Sequence, residues 1–253
     1  MRTVKVRGVK LGAGIPKTIV PIVAGTREAI LKKAEEITSL PADLVEWRAD
    51  FYDGLLDREK LLGTLSALRK ALGEIPILFT IRTKPEGGEI AIDAKPYAEI
   101  NLAVAASGDA DMVDVEIEKE GSQGVIDGIH KAGCLVVGSK HDFKATPPKD
   151  EMVATLKKAQ DMGADIPKIA VMPNSSHDVV TLLCASTEVH EKIADRPILT
   201  ISMGPKGMVS RMACELSGSC MTFGAAGQTS APGQIQVGEL KDMLTLIHKA
   251  QGA

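Results

Sequence analysis

Lys168 sits inside an apolar run, Ile-Pro-Lys-Ile-Ala-Val-Met at 166–172. An amine in such a place can form a Schiff base with a ketone, provided that it is neutral. Burial and nearby cations lower a lysine pKa, and Arg48, Arg82 and Arg211 are the cations expected around it. An iminium draws electrons and acidifies the neighbouring C–H, so the chemistry needs a proton carrier. His141, in SKHDF at 139–143, fits that need. Its unperturbed pKa near about 6.5 suits both taking and returning a proton. Each residue alone also has a plainer reading. A strand lysine usually faces solvent or snorkels, a histidine at a strand end usually bonds structure, and Glu46 and Arg48 could simply pair. Their convergence on one mouth favours chemistry, because isolated buried charges cost several kcal/mol.

The elements that must position these groups follow from periodicity. Short apolar runs at 18–24, 43–48, 75–82, 111–117, 134–139, 166–172, 197–203 and 219–224 read as strands. Each precedes an amphipathic helical pattern, at 27–40, 57–72, 95–108, 123–132, 149–163, 175–195, 207–217 and 236–250. Strand–helix alternation implies parallel βαβ units. Eight units in a chain of 253 residues predict a single (β/α)₈ TIM barrel over 1–253, with a doubly wound open sheet as the alternative. Weak alternation at Val4, Val6, Val9 and Leu11 around Gly8 predicts a β-hairpin covering the bottom of the barrel.

Side chains alternate along a strand. One phase therefore groups Glu46 with Arg48, Thr80 with Arg82, Asp114 with Glu116, Ser139 with His141, and Lys168 with Ala170 and Met172. Met203 or Phe223 supplies an apolar wall. Glu46, Arg48, Arg82, Glu116 and His141 fall at C-terminal strand ends, where this fold carries catalysis, and Lys168 is expected deeper. His141 is expected just past the fifth strand. Gly87 and Gly88 read as a turn, and 203–207 is too weak a pattern for a phosphate cradle. HExxH, GxSxG and Walker patterns are lacking, which leaves zinc, serine-hydrolase and P-loop chemistry without support.

Composition narrows the class. A net charge of -3 gives no basic field for nucleic acid. Only 3% of residues are aromatic against 44% hydrophobic, which suits aliphatic barrel layers. The four cysteines lack CxxC spacing and are expected as reduced thiols in a cytoplasmic protein. No signal peptide and no membrane span are expected.

The segments VEWRADF (45–51), FTIRTKPEGGE (79–89), DVEI (114–117), SKHDF (139–143), GADIPKIAVMP (163–173), SRMACE (210–215) and SAPGQ (230–234) occur in this order. With them the chain resembles the type I 3-dehydroquinate dehydratases of the shikimate pathway, over nearly its whole length. The resemblance implies a hydro-lyase that eliminates water from 3-dehydroquinate to give 3-dehydroshikimate. It implies Lys168 as the imine former, His141 as general acid and base, and Glu86 as the carboxylate orienting His141. Glu46, Arg48 and Arg82 would hold ring hydroxyls, and Arg211 the substrate carboxylate. Ser230 and Gln234 would reach from a lid loop, with Met203 and Phe223 as apolar wall. No metal or organic cofactor is required, since the amine is the electron sink; a homodimer is implied. The chain departs from the family pattern at Lys140, at 204–207 and at Gln228. Two other classes stay open on the residues themselves. One is a class I Schiff-base aldolase on the same fold, which would want a phosphate cradle. The other is a non-catalytic metabolite-binding barrel, against which Lys168, His141 and Glu86 together argue.

Overall fold

The computed structural model describes residues 3–227 and 235–252. Strands β1 (Val4–Val6) and β2 (Val9–Leu11) form an antiparallel hairpin with Val4 opposite Leu11. Strand and helix then alternate. The first half comprises β3 (Lys17–Ile22), α1 (Arg27–Thr38), β4 (Leu44–Arg48), α2 (Arg58–Leu72), β5 (Ile77–Thr80), α3 (Ala94–Ser107), β6 (Met112–Glu116) and α4 (Ser122–Lys131). The second half comprises β7 (Leu135–Asp142), α5 (Lys149–Asp161), β8 (Ile166–Val171), α6 (Ser176–Lys192), β9 (Leu199–Ser202), α7 (Met208–Met212), α8 (Cys214–Ser217), β10 (Met221–Ala225), β11 (Ile235–Gln236) and α9 (Val237–Ala250). Side-chain oxygens at the N-caps fix several helix starts. Thr26 accepts from Ala29 N–H, Asp57 from Lys60 N–H, and Ser175 and Asp178 form a reciprocal capping box.

Strands β3 to β9 pair in chain order, all parallel, and β10 returns to pair with β3. A bridge between Ile198 and Ser219 joins the β9 side to the β10 side, with Cys220 N–H donating to the Ile198 carbonyl at 2.8 Å. The eight strands therefore close as a TIM barrel, and the sequential order excludes the doubly wound alternative. Strand β11 adds in parallel to the end of β10.

Register sorts the interior into tiers. Ile19, Leu44, Leu78, Met112, Val137, Ile166, Leu199 and Met221 fill the lower barrel, and Val4, Val6 and Leu11 of the hairpin join the same cluster. The hairpin thus covers the N-terminal mouth, as its alternation predicts. Arg7, at a positive φ of 47°, is held there by an ion pair with Asp111 at 2.6 Å. Outward residues such as Val45, Trp47, Phe79 and Val113 pack under the helices. Only the upper interior remains for polar groups.

Two sequence expectations need correction. The fifth barrel strand does not stop at Ser139. β7 runs to Asp142 because β8 continues alongside it, Lys140 opposite Ile169 and His141 opposite Ala170, so His141 lies in the strand and not past it. The helix expected over 207–217 is two short helices, broken at Ala213.

Glycine matters most in the loop after β5. Gly87 adopts a left-handed φ of 81° and ends a single 3-10 turn at Lys84–Glu86. Gly88 lies so close to the Arg82 carbonyl that an added Cβ would stand 1.9 Å from that oxygen. Gly88→Ala should cost about 1–3 kcal/mol from the forced backbone shift, whereas Gly124→Ala, in open space within α4, should gain up to about 1 kcal/mol. Urea unfolding of both variants checks the pair; equal stabilities would refute the tight approach.

Candidate active site

Five neighbouring strands aim polar side chains into the upper barrel. Glu46 and Arg48 come from β4, Thr80 from β5, Asp114 and Glu116 from β6, Ser139 and His141 from β7, and Lys168 from β8. Arg82 follows two residues after β5. Nearly all of them are buried. A cavity of about 280 Å³ opens above them. Lys168, His141, Glu46, Arg48 and Arg82 line it, and Met203, Phe223 and Arg211 complete the wall.

Lys168 lies at mid-strand, 3% exposed. Its Nζ donates to Asp114 Oδ2 at 3.0 Å and lies 3.7 Å from Glu46 Oε1. The Phe223 ring centroid is 5.3 Å away. Cations were expected around this amine; two carboxylates stand directly against it. Asp114 is completely buried and accepts from Arg82 at 2.8 Å and Ser139 Oγ at 2.6 Å besides Lys168. Burial alone would raise its pKa, but the Arg82 and Lys168 charges prevail and hold it down at about 2.

Arg82 is saturated. Besides Asp114 it donates to Glu116 at 2.9 Å and to Ser139 Oγ at 3.0 Å, and this carboxylate cage keeps it protonated despite complete burial. Glu116 also takes the Thr83 backbone N–H and hydroxyl. Arg48 does not pair with Glu46. It forks onto Asp50 with two bonds of 2.8 Å and stacks over Phe51. Glu46 instead accepts from Thr80 Oγ1 at 3.0 Å.

His141 is held from outside the barrel strands. β6 pairs no further than Glu116 opposite Ser139, so the His141 backbone N–H has no strand partner. Glu86 fills the gap. Its Oε2 accepts that N–H at 2.9 Å and meets ring Nδ1 at 3.0 Å. Nε2 is left to face the cavity. Burial, then the charges of Arg82, Lys168, Arg48 and Lys140, hold His141 well below its ordinary pKa, so the ring is neutral near pH 7. Burial pushes Glu86 up to about 7 against the opposing pull of Arg82. Glu86 itself does not line the cavity. Lys140 is on the outward phase, as alternation requires, yet its Nζ returns to Glu86 Oε1 at 3.4 Å.

Arg211, from α7, is buried with its Nε unpartnered among the described residues. Among the described residues its Nη1 reaches only the Phe223 carbonyl, at 3.4 Å, and burial lowers its pKa to about 10. A guanidinium with no described carboxylate beside a cavity is suited to an anion. Gly204 and Pro205, from the 204–207 departure, join the cavity rim. Ser230, Gln234 and Gln228 lie outside the described residues, so the lid-loop contacts expected of Ser230 and Gln234 have no counterpart in this geometry. Sequence reasoning placed Asp114, Glu116 and Ser139 on the inward phase but gave them no role in the chemistry. Their period-two placement beside Lys168 and His141 was the available signal. Among the described residues, no three His, Cys, Asp or Glu side chains are grouped to hold a metal ion.

The family model for type I 3-dehydroquinase matches residues 18–251. A 3-dehydroquinate dehydratase from Listeria welshimeri is 47% identical over 251 residues, covering 98% of this chain and 99% of its own. One from Bacillus licheniformis is 45% identical over 250 residues, covering 98% of each. Among solved structures, the type I 3-dehydroquinate dehydratase of Clostridium difficile with covalently modified comenic acid superposes with a TM-score of 0.96 at 41% identity, over 98% of this chain and 99% of that one. The Geobacillus kaustophilus enzyme gives 0.95 at 37% identity, over 98% and 97%. A barrel with a buried strand lysine, a carboxylate-held histidine and an arginine at one cavity, matched over almost its full length, belongs to the type I 3-dehydroquinase family.

Proposed function

We propose that this barrel, formed by the whole chain, converts 3-dehydroquinate to 3-dehydroshikimate through an imine on Lys168. The observation that carries the reading is the shared cavity of Lys168 and His141, with Glu86 holding the ring at Nδ1. The Lys168 amine attacks the ring ketone and water leaves, giving an iminium. His141 Nε2 takes a proton from the adjacent ring carbon. The electrons move toward the nitrogen and then expel the ring hydroxyl, to which His141 returns its proton, so water departs. Hydrolysis of the product imine frees Lys168. Asp114 orients the amine through its hydrogen bond, and the proton that the amine gives up before attack leaves with the ketone oxygen as water. Arg211 would fork onto the substrate carboxylate, a planar match that a lysine does not reproduce. Glu46, Arg48 and Arg82 would meet ring hydroxyls, and Met203 and Phe223 give the apolar wall. Ser230 and Gln234 are assigned substrate contacts on the family resemblance alone. No metal or organic cofactor enters this scheme, because the lysine nitrogen is the electron sink. The same resemblance supports a homodimer working in the cytoplasm within the shikimate pathway; sedimentation at the monomer mass would overturn the first of these.

Incubation with 3-dehydroquinate should produce the absorbance of the product enone. Borohydride added during turnover should attach the ring to Lys168, and Lys168→Met should neither label nor turn over. A labelled peptide elsewhere would sink the imine assignment. His141→Ala should still label but lose roughly 10²–10⁴-fold or more in kcat.

Arg211→Ala should raise KM by roughly 10–100-fold, the value of a charge-assisted fork, and Arg211→Lys should recover only part of this. A KM unchanged in both variants would remove Arg211 from the carboxylate site.

The active base form requires neutral His141 and ionised Glu86. Acid removes both, so kcat should fall as pH drops through about 7, the value to which Glu86 is raised. A kcat that stays level from about pH 8 to about pH 5.5 would contradict the assignment of this pair.

A further inference from the structure

Glu86 is carried on a single turn that ends at left-handed Gly87, not on a barrel strand. Its carboxylate therefore needs hydrogen-bond and charge partners to fix its aim. Oε2 has them: the His141 backbone N–H at 2.9 Å, ring Nδ1 at 3.0 Å, and Arg82 Nη1 at 3.6 Å. Oε1 faces Lys140 Nζ at 3.4 Å. The carboxylate is 5% exposed at its side chain and the lysine 37%, so the ammonium spans from solvent to a buried acid.

We propose that Lys140 is a positioning residue, whose ammonium pins the second oxygen of Glu86 so that the carboxylate stays ionised, aimed at His141, and the histidine stays in its base form. The inference rests on the reading of His141 as proton carrier. The other charges around the pair come from every packed neighbour. Arg82, Glu116, Asp114 and Lys140 act on Glu86, and Arg82, Lys168, Arg48 and Lys140 on His141. Arg82, Asp114 and Glu116 are locked to one another in the buried cage, and Arg48 and Lys168 line the cavity. Of these cations Lys140 alone does not line the cavity, so removing it alters the field and the aim of Glu86 without altering the surface offered to substrate. The sign is fixed. A cation beside the pair opposes its first protonation, and losing that cation lets the pair take up a proton at higher pH.

The test compares wild type, Lys140→Met and Lys140→Arg by kcat and KM against pH with 3-dehydroquinate, and by NMR titration of the His141 ring. For Lys140→Met, the acid limb of kcat and the ring titration should both move up by about half a pH unit. Below the limb kcat should drop about threefold, the same shift expressed as a rate, with KM within about twofold of wild type. Lys140→Arg should restore both. An unmoved limb and titration in Lys140→Met, or an equal change in Met and Arg variants, would overturn the proposal. Absence of turnover in wild type would instead defeat the dehydratase reading, and the ring titration would still decide whether Lys140 acts on the pair.

Discussion

The upper barrel depends on one carboxylate. Asp114 stands between a guanidinium from the strand-5 side and an ammonium from β8, with Ser139 closing the remaining gap. Two cations that near each other in a closed barrel, with no anion between them, would repel and lack solvation. With Asp114 present, both remain buried and ordered, and the strands that carry them can close above an apolar floor. The lysine is thereby held in place by an ion pair whose carboxylate it shares with Arg82.

The rest of the site is layered on that cluster. Glu116 anchors Arg82 and the start of the loop at Thr83, and that loop carries Glu86 across to the end of β7. Orientation of His141 therefore passes from Arg82 through the Thr83–Ile90 loop, whose ends meet in a short parallel bridge. Gly88 permits that loop to press against the Arg82 backbone. Rigid strands hold the nucleophile, while a braced loop holds the group that aims the base.

Much of this is readable from residue order. Charged residues at every second position within apolar runs are costly unless they point to one axis, so the inward phase of Glu46, Arg82, Asp114, His141 and Lys168 is visible before any fold is known. The partners are not. That Arg48 meets Asp50 and not Glu46, or that Asp114 rather than an arginine faces Lys168, depends on cross-strand register, which no single run contains. Glu86 sits in a loop without periodicity, so only its motif marked it. The break at Ala213 carries no Gly or Pro, and the apolar pattern runs through it. The polar residues Lys140 to Asp142 hid the end of β7, where neighbouring β8, not local propensity, sustains the strand.

The hairpin at the barrel floor is made early in synthesis, yet its docking surface is assembled late. Val4, Val6 and Leu11 rest on a tier that ends with Met221, Arg7 reaches Asp111, and Lys17 N–H bonds the Cys220 carbonyl. Asp43 likewise meets Lys241 of the final helix. During translation these first strands emerge from the ribosome without their partners, and the floor stays open until the eighth barrel strand is complete. Contacts so distant along the chain slow folding, and over that interval the apolar side chains of the hairpin lack the tier that covers them in the closed barrel.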